Sequence, residues 1–187
     1  MYTLLLLTLF STAYANVFFD SKCPEVKSAE NFEFSKFGKG DWYEIARYPI
    51  DLEKDSKCVK VIYTWMDDHA MVKCILMVND KQVELNGIMR PVVKAGNTEK
   101  LFCSVSNENV KLETDVYILD IDYDNYAIAY GCKYDEEKKS RQDFAWIMSR
   151  SNTLSPAIKA KVENFVKESE FLYNDKFFWP ETSCVAN

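Results

Sequence analysis

Thiols and imidazoles are the side chains best able to do covalent, metal-binding or proton-transfer chemistry near neutral pH, and this chain carries six cysteines and one histidine. The histidine, His69, follows Asp67-Asp68 in "WMDDHAMV", a stretch that reads as a tight turn. No Ser-His-Asp set can be assembled around an imidazole held there. One histidine and no CxxC pair also leave nothing with the ligand spacing of a zinc site. A nucleophilic thiol needs a base or cation beside it, and no histidine is placed to make a thiolate of Cys74. The chain is therefore expected to be neither an enzyme nor a metalloprotein. The chemistry left to it is binding.

The charge balance narrows what is bound. Lys and Arg number 23 against 29 Asp and Glu, a formal charge of −6, and no basic block stands out that would neutralise phosphates. Nucleic acid is not an expected partner. The opening "MYTLLLLTLFSTAYA" has a short apolar run ending in Ala13-Tyr14-Ala15, the pattern of a secretory signal over residues 1–15. That run is too short to span a bilayer, and no later stretch approaches the ~18 apolar residues of a membrane span. The expected product is an extracellular chain, one domain over residues 16–187, with no N-x-[ST] sequon for N-glycosylation. Six cysteines in an exported chain read as a disulfide framework, although spacing alone cannot choose the pairs.

Short strands must position these residues. From Trp42 to Met148, segments rich in Val, Ile, Tyr and Phe alternate with clusters of Asp, Asn and Gly. Eight strands are counted: "WYEIARYP", "CVKVIYTWM", "AMVKCILMV", "QVELNGIMRPV", "KLFCSVS", "DVYILDIDY", "YAIAYGCKY" and "RQDFAWIMS". Asp67-Asp68, Asn79-Asp80 and Asp124-Asn125 suit tight hairpins with central residues at positive φ. Regular spacing points to an antiparallel sandwich or barrel. A helix starts where Ser155 precedes Pro156, and Ile158, Val162, Phe165 and Val166 form its apolar stripe. The remaining "YNDKFFWPETSCVAN" reads as an irregular tail. In "GDWYEIARYP", strict alternation puts Trp42, Glu44, Ala46 and Tyr48 on one face and Tyr43, Ile45 and Arg47 on the other. Neither face is cleanly polar. A sheet closed on itself, with the helix packed outside, accounts for strands apolar on both sides.

Gly40-Asp41-Trp42 at the first strand, "DIDYDNY" at residues 120–126 and "SRS" at 149–151 resemble the lipocalin family. "CPEVKSAENFEFSKF", "YPIDLEKDSKC", "CKYDEEKKSRQDFAWIMSRS" and the terminal cysteine are most similar to its insect bilin-binding and insecticyanin branch. The resemblance implies an all-β fold, an eight-stranded antiparallel up-and-down barrel around a small apolar ligand, with one C-terminal α-helix outside. It implies that Trp42 plugs the closed end under Arg150, with the Asp122 hairpin at that same end. It also pairs Cys23 with Cys132 and Cys58 with Cys184. Ile121 stands where the family pattern commonly has Thr. The implied ligand is a bilin pigment, a biliverdin-like linear tetrapyrrole, carried for pigmentation or storage. A fatty acid, retinoid, sterol or odorant is the alternative, motivated by Cys74 and Cys103, which the family pattern does not supply.

Parity then assigns an interior. Cys132 must face outward to meet the N-terminal segment, so Gly131 and Lys133 face inward. Alignment by length turns Cys74 and Cys103 inward as well, two strands and about 9.6 Å apart. A disulfide tolerates a Cα separation of roughly 7 Å, so both are expected to be free thiols. The expected pocket is Cys74, Leu76, Leu85, Val105, Tyr117, Phe144 and Trp146, with Gln142 and Lys133 nearer the mouth and Gly131 leaving room. Loops at 50–57, 79–81, 107–113 and 135–140 would ring that mouth. Glu44, Asn86 and backbone carbonyls would accept a bilin's N–H groups, and Lys133, Arg141 and Lys60 would meet its propionates. The plainer alternative is that the aromatics fill the barrel as core and that Lys133 and Arg141 are solvated surface charges.

Overall fold

Alternating β-branched and aromatic residues favour extended chain, and two-residue turns fold that chain back on itself. The computed structural model, which describes residues 16–184 apart from 54 and 95, contains nine strands among those residues. They are β1 (Val17–Phe19), β2 (Gly40–Arg47), β3 (Ser56–Met66), β4 (His69–Val78), β5 (Lys81–Lys94), β6 (Asn97–Ser106), β7 (Lys111–Asp122), β8 (Tyr126–Asp135) and β9 (Ser140–Ser149). The expected eight are β2 to β9. Each is antiparallel to the next, and β9 pairs with both β8 and β2, which closes the barrel. The short β1 was not anticipated. It lies on the stretch of β9 beyond β2, with Val17 opposite Asp143 and Phe19 opposite Arg141. The signal sequence expected over residues 1–15 falls outside the described residues.

One hairpin uses the expected backbone, Asn79 and Asp80 having φ of 50° and 59°, while at Asp67-Asp68 only Asp67 is left-handed, with φ of 59°. The Asp124-Asn125 turn does not use it, because neither residue is left-handed. Asp122 holds it instead, its Oδ1 accepting from the Asp124 N–H at 3.1 Å and its Oδ2 from the Asn125 amide at 2.9 Å.

Helix α1 (Phe34–Phe37) is a single turn below the barrel, and α2 (Pro156–Glu168) lies outside it. Ser155 caps α2 by accepting the Ile158 N–H at 3.4 Å. Val162 and Val166 are buried with Ile45, Ala46, Tyr126, Ile128 and Ile147 of the outer barrel surface. Each such valine contributes roughly 1.5–3 kcal/mol. A separate cluster fills the inside, including Trp42, Tyr63, Val72, Leu101 and Ile118.

Two bulges decide which side chains reach that inside. In β2, Glu44 opposes Met148 while Ala46 opposes Ile147, so one extra residue sits on β2. Trp42, Glu44 and Arg47 therefore face inward, and Tyr43, Ile45, Ala46 and Tyr48 face the helix side. Strict alternation had put Arg47 outside and Ala46 and Tyr48 inside. In β7, Ile118 pairs with Ala129 but Asp120 with Ile128, which makes Leu119 the extra residue. Val116 and Ile118 face in, and Tyr117 faces out opposite Tyr130.

The closed end is dense and fully bonded. Trp42 is completely buried, and its indole N–H donates to the Phe37 carbonyl at 3.1 Å. The Arg150 guanidinium lies 3.7 Å from the Trp42 ring centroid and donates to the carbonyls of Tyr123, Lys39 and Asp41, each at 2.9 Å. Ile121 joins the apolar interior there. Disulfides Cys23–Cys132 and Cys58–Cys184, with Cα atoms 5.9 and 5.8 Å apart, tie both terminal segments to the barrel. Loops of the order of 100 residues are closed this way, worth about 4–5 kcal/mol each in a chain-entropy account.

Candidate ligand site

Inward positions of the strands leave a hollow of about 90 Å³ in the middle of the barrel. Val59 and Tyr63 of β3, Val72 and Cys74 of β4, Met89 of β5, Cys103 and Val105 of β6, Val116 of β7 and Trp146 of β9 border it. Cys74 and Cys103 are free thiols. Burial pushes both up, Cys103 to about 12, so neither is a thiolate at neutral pH.

The polar part of the wall sits at the mouth. After β2 the chain turns back over the opening through a 3-10 turn, Asp51–Glu53, which buries Ile50 and Glu53. Arg47, 2% exposed, is the hub. Its Nη1 donates to Glu44 Oε1 at 2.5 Å, and its Nη2 donates to the carbonyls of Glu53 at 2.6 Å and Ser56 at 3.2 Å. Its Nε is 3.5 Å from Glu53 Oε2, and neither atom has a hydrogen-bond partner among the described residues. Two buried carboxyls thus face one guanidinium. Burial pushes both carboxyls up, and Arg47 pulls back on both. The hydrogen bond goes to Glu44, which leaves the proton on Glu53, pushed up to about 8 by burial and by the nearby Glu44. Of the two carboxyls, Glu53 is the one farther from the cation.

Barrel, aromatic plug and apolar hollow together make a carrier's geometry, and the comparisons identify which kind. The sequence profile of the lipocalin / cytosolic fatty-acid binding protein family matches residues 39–182. This chain is a lipocalin. It is 35% identical to the bilin-binding protein of Pieris brassicae over the full length of both chains. It is 30% identical to insecticyanin-B of Manduca sexta, covering 93% of this chain and 87% of that one. Among solved structures it resembles insecticyanin from the tobacco hornworm, with a TM-score of 0.81 and 29% identity over 90% of each chain. Lobster apocrustacyanin A1 is similar at a TM-score of 0.66 and 26% identity, over 80% of this chain and 79% of that one. Like the family, this lipocalin is built to carry small hydrophobic molecules in its barrel.

The residues expected to line the pocket divide into groups. Cys74, Val105 and Trp146 border the hollow of this lipocalin. Phe144 is buried on the same face of β9, its ring 6.1 Å from Trp146 and nearly parallel to it. Leu76 and Leu85 are buried in the interior cluster without bordering the hollow. They and the folded mouth segment make the hollow narrower than expected. Gln142 and Lys133 pair across β8 and β9 near the mouth, Gln142 partly buried and Lys133 exposed. Gly131 does not leave room for a guest: a Cβ there would lie 2.7 Å from the Asp115 carbonyl, so its lack of a side chain lets β7 and β8 approach. Tyr117 points away, as the β7 bulge dictates.

Three rim assignments are overturned. Asn86 is exposed next to inward Leu85. Lys60 pairs with Asp41 at 2.6 Å. Arg141 is buried on the outer side, where it bonds Asp143, Ser21 and the Lys22 carbonyl and covers the Phe19 ring. Sequence reasoning missed Arg47 and Glu53. The mixed faces of "GDWYEIARYP" signalled the first, since one inserted residue sorts them into charged inside and apolar outside.

Proposed function

We propose that this lipocalin is a secreted, non-enzymatic carrier of a bilin, a biliverdin-like linear tetrapyrrole, serving pigmentation or storage. The two disulfides fit an exported chain, with residues 1–15 as the signal and 16–187 as one domain. The relative that is 35% identical is named for bilin binding. The observation that carries the proposal is the buried acid pair inside the mouth, where Glu44 and Glu53 share the one guanidinium of Arg47. A fatty acid would bring a third carboxyl group against those two. A bilin brings N–H donors and a basic nitrogen, which a carboxyl can serve. Its conjugated body suits Tyr63, Met89 and Trp146, and Lys133 stands exposed near the mouth where a propionate would emerge.

A bilin is larger than the hollow, since small-molecule sites usually run from about 300 Å³ upward. Admitting it requires the Asp51–Glu53 turn to shift. Protein isolated from its own source, or loaded with added biliverdin, should be blue-green with strong absorption toward the red. A colourless protein that takes up no biliverdin would sink the proposal.

The size of the hollow favours one alternative, a slimmer guest such as a fatty acid, retinoid, sterol or odorant. Titration with a fluorescent fatty acid, followed by competition with biliverdin, separates the two. Tight fatty-acid binding that biliverdin does not displace selects the alternative.

A further inference from the structure

The wall of the hollow is nearly all hydrocarbon, thiol and aromatic ring, so a polar atom there without a partner is conspicuous. Glu53 Oε2 is such an atom: it is buried, on a residue 7% exposed that borders the hollow, and its neighbours, Arg47 Nε at 3.5 Å and the Trp146 indole, leave it without a close hydrogen bond. Leaving it so costs of the order of 1–3 kcal/mol, which a ligand donor would recover. Arg47 reaches it only through Nε, at 3.5 Å. That guanidinium is committed through Nη1 to Glu44 and through Nη2 to two carbonyls.

The groups facing Glu53 leave it as the proton carrier. Glu44 and Arg47 approach from β2, Cys74 from β4, Cys103 from β6 and Trp146 from β9. Both thiols stay protonated, and Glu44 is held by Arg47. Asp51 in the same turn faces away, accepting from the Asn16 amide at 2.9 Å.

We propose that Glu53 is the proton partner of the bound tetrapyrrole: its carboxyl meets the pigment's ring nitrogens and shares one proton with them. This rests on the bilin reading above. A biliverdin-type bilin has three N–H groups and one imine-type nitrogen. Glu53 gives its proton to that nitrogen: the O–H bond breaks, an N–H bond forms, and a neutral pair becomes a carboxylate facing a cation. The carboxylate then accepts from the N–H groups, and total charge is unchanged. Arg47 remains paired with Glu44, so the carboxylate formed on Glu53 is balanced by the pigment itself. The pocket is thereby selective for guests with a basic, N–H-bearing centre.

The test is the visible spectrum of the full-length mature protein with biliverdin, recorded below and above pH 8. Wild type should hold the pigment in its protonated form, with a red-shifted and intensified long-wavelength band that persists to a higher pH than for free biliverdin. Glu53→Gln should still bind, about tenfold more weakly, with the spectrum of the neutral pigment. Glu53→Asp, which keeps a carboxyl, should restore part of the band. Identical spectra and affinities for wild type and Glu53→Gln would overturn the assignment while leaving a bilin carrier. Failure of wild type to bind biliverdin removes the bilin reading and this one with it. Should Glu53→Gln not fold, a wild-type complex showing the neutral spectrum at pH 7 is by itself enough to overturn the proposal.

Discussion

Each end of the barrel holds an arginine, and the two are treated in opposite ways. At the closed end Arg150 lies on Trp42 and finds three backbone carbonyls at 2.9 Å, groups that carry no charge and cannot titrate. At the mouth Arg47 is wrapped by Glu44, Glu53 and two carbonyls, with its own Nε and Glu53 Oε2 3.5 Å apart and neither making a hydrogen bond among the described residues. The first arrangement is complete and can only stabilise. The second is incomplete, responds to pH and borders the hollow, as a place meant to receive something should.

The contrast is most easily broken at Arg47. Arg47→Met leaves two buried carboxyls without a cation and should cost about 3–5 kcal/mol, read from the urea midpoint at unchanged m. A loss under 1 kcal/mol would mean the cluster is better hydrated than its burial indicates.

Next comes pH. Glu53's pKa is raised from 4.5 to about 8 in the folded state, so the folded protein binds this proton more tightly than the unfolded one. Its favourable contribution is complete at low pH and declines as pH rises from about 4.5 to about 8, by a few kcal/mol at most. Urea titrations across that range should show the decline in wild type and a flatter profile in Glu53→Gln. Equal profiles would place the titration elsewhere.

At the closed end, Arg150→Ala should cost about 2–3 kcal/mol through the lost ring contact and the orphaned carbonyls. Its pH profile and biliverdin affinity should match wild type. A change in affinity would show that the two ends are coupled. The smallest effect belongs to Tyr117→Ser on the outer face. Ligand affinity should stay within twofold of wild type, and a loss of tenfold would contradict the β7 register.

These predictions depend on details only partly legible in the sequence. The eight strands and the outer helix follow from alternation and capping, whereas the inward turn of Cys74 and Cys103 rests on alignment by length and on the cysteine pairing that the resemblance implies. Counting every second residue fails at a bulge. Back from inward Ile121 it would place Leu119 and Tyr117 inside, yet the extra residue at Leu119 puts Tyr117 outside. The extra residue in β2 likewise carried Arg47 into the interior. Glu53 was invisible for another reason: its burial comes from a loop folding across the mouth, and no local pattern encodes where a loop comes to rest. Lys60 and Arg141 were misplaced because a long cation goes to the nearest anion or ring, which for both lies outside the barrel.

The unanticipated β1 has a bearing on handling and longevity. β9 pairs with β2 only over its second half, and β1 occupies the backbone of Arg141 to Asp143 that would otherwise offer open hydrogen-bonding groups to a neighbouring molecule. A variant trimmed past Phe19 should therefore aggregate on concentration even where the barrel itself stays folded. Those few N-terminal residues would set how densely the protein can be packed in solution.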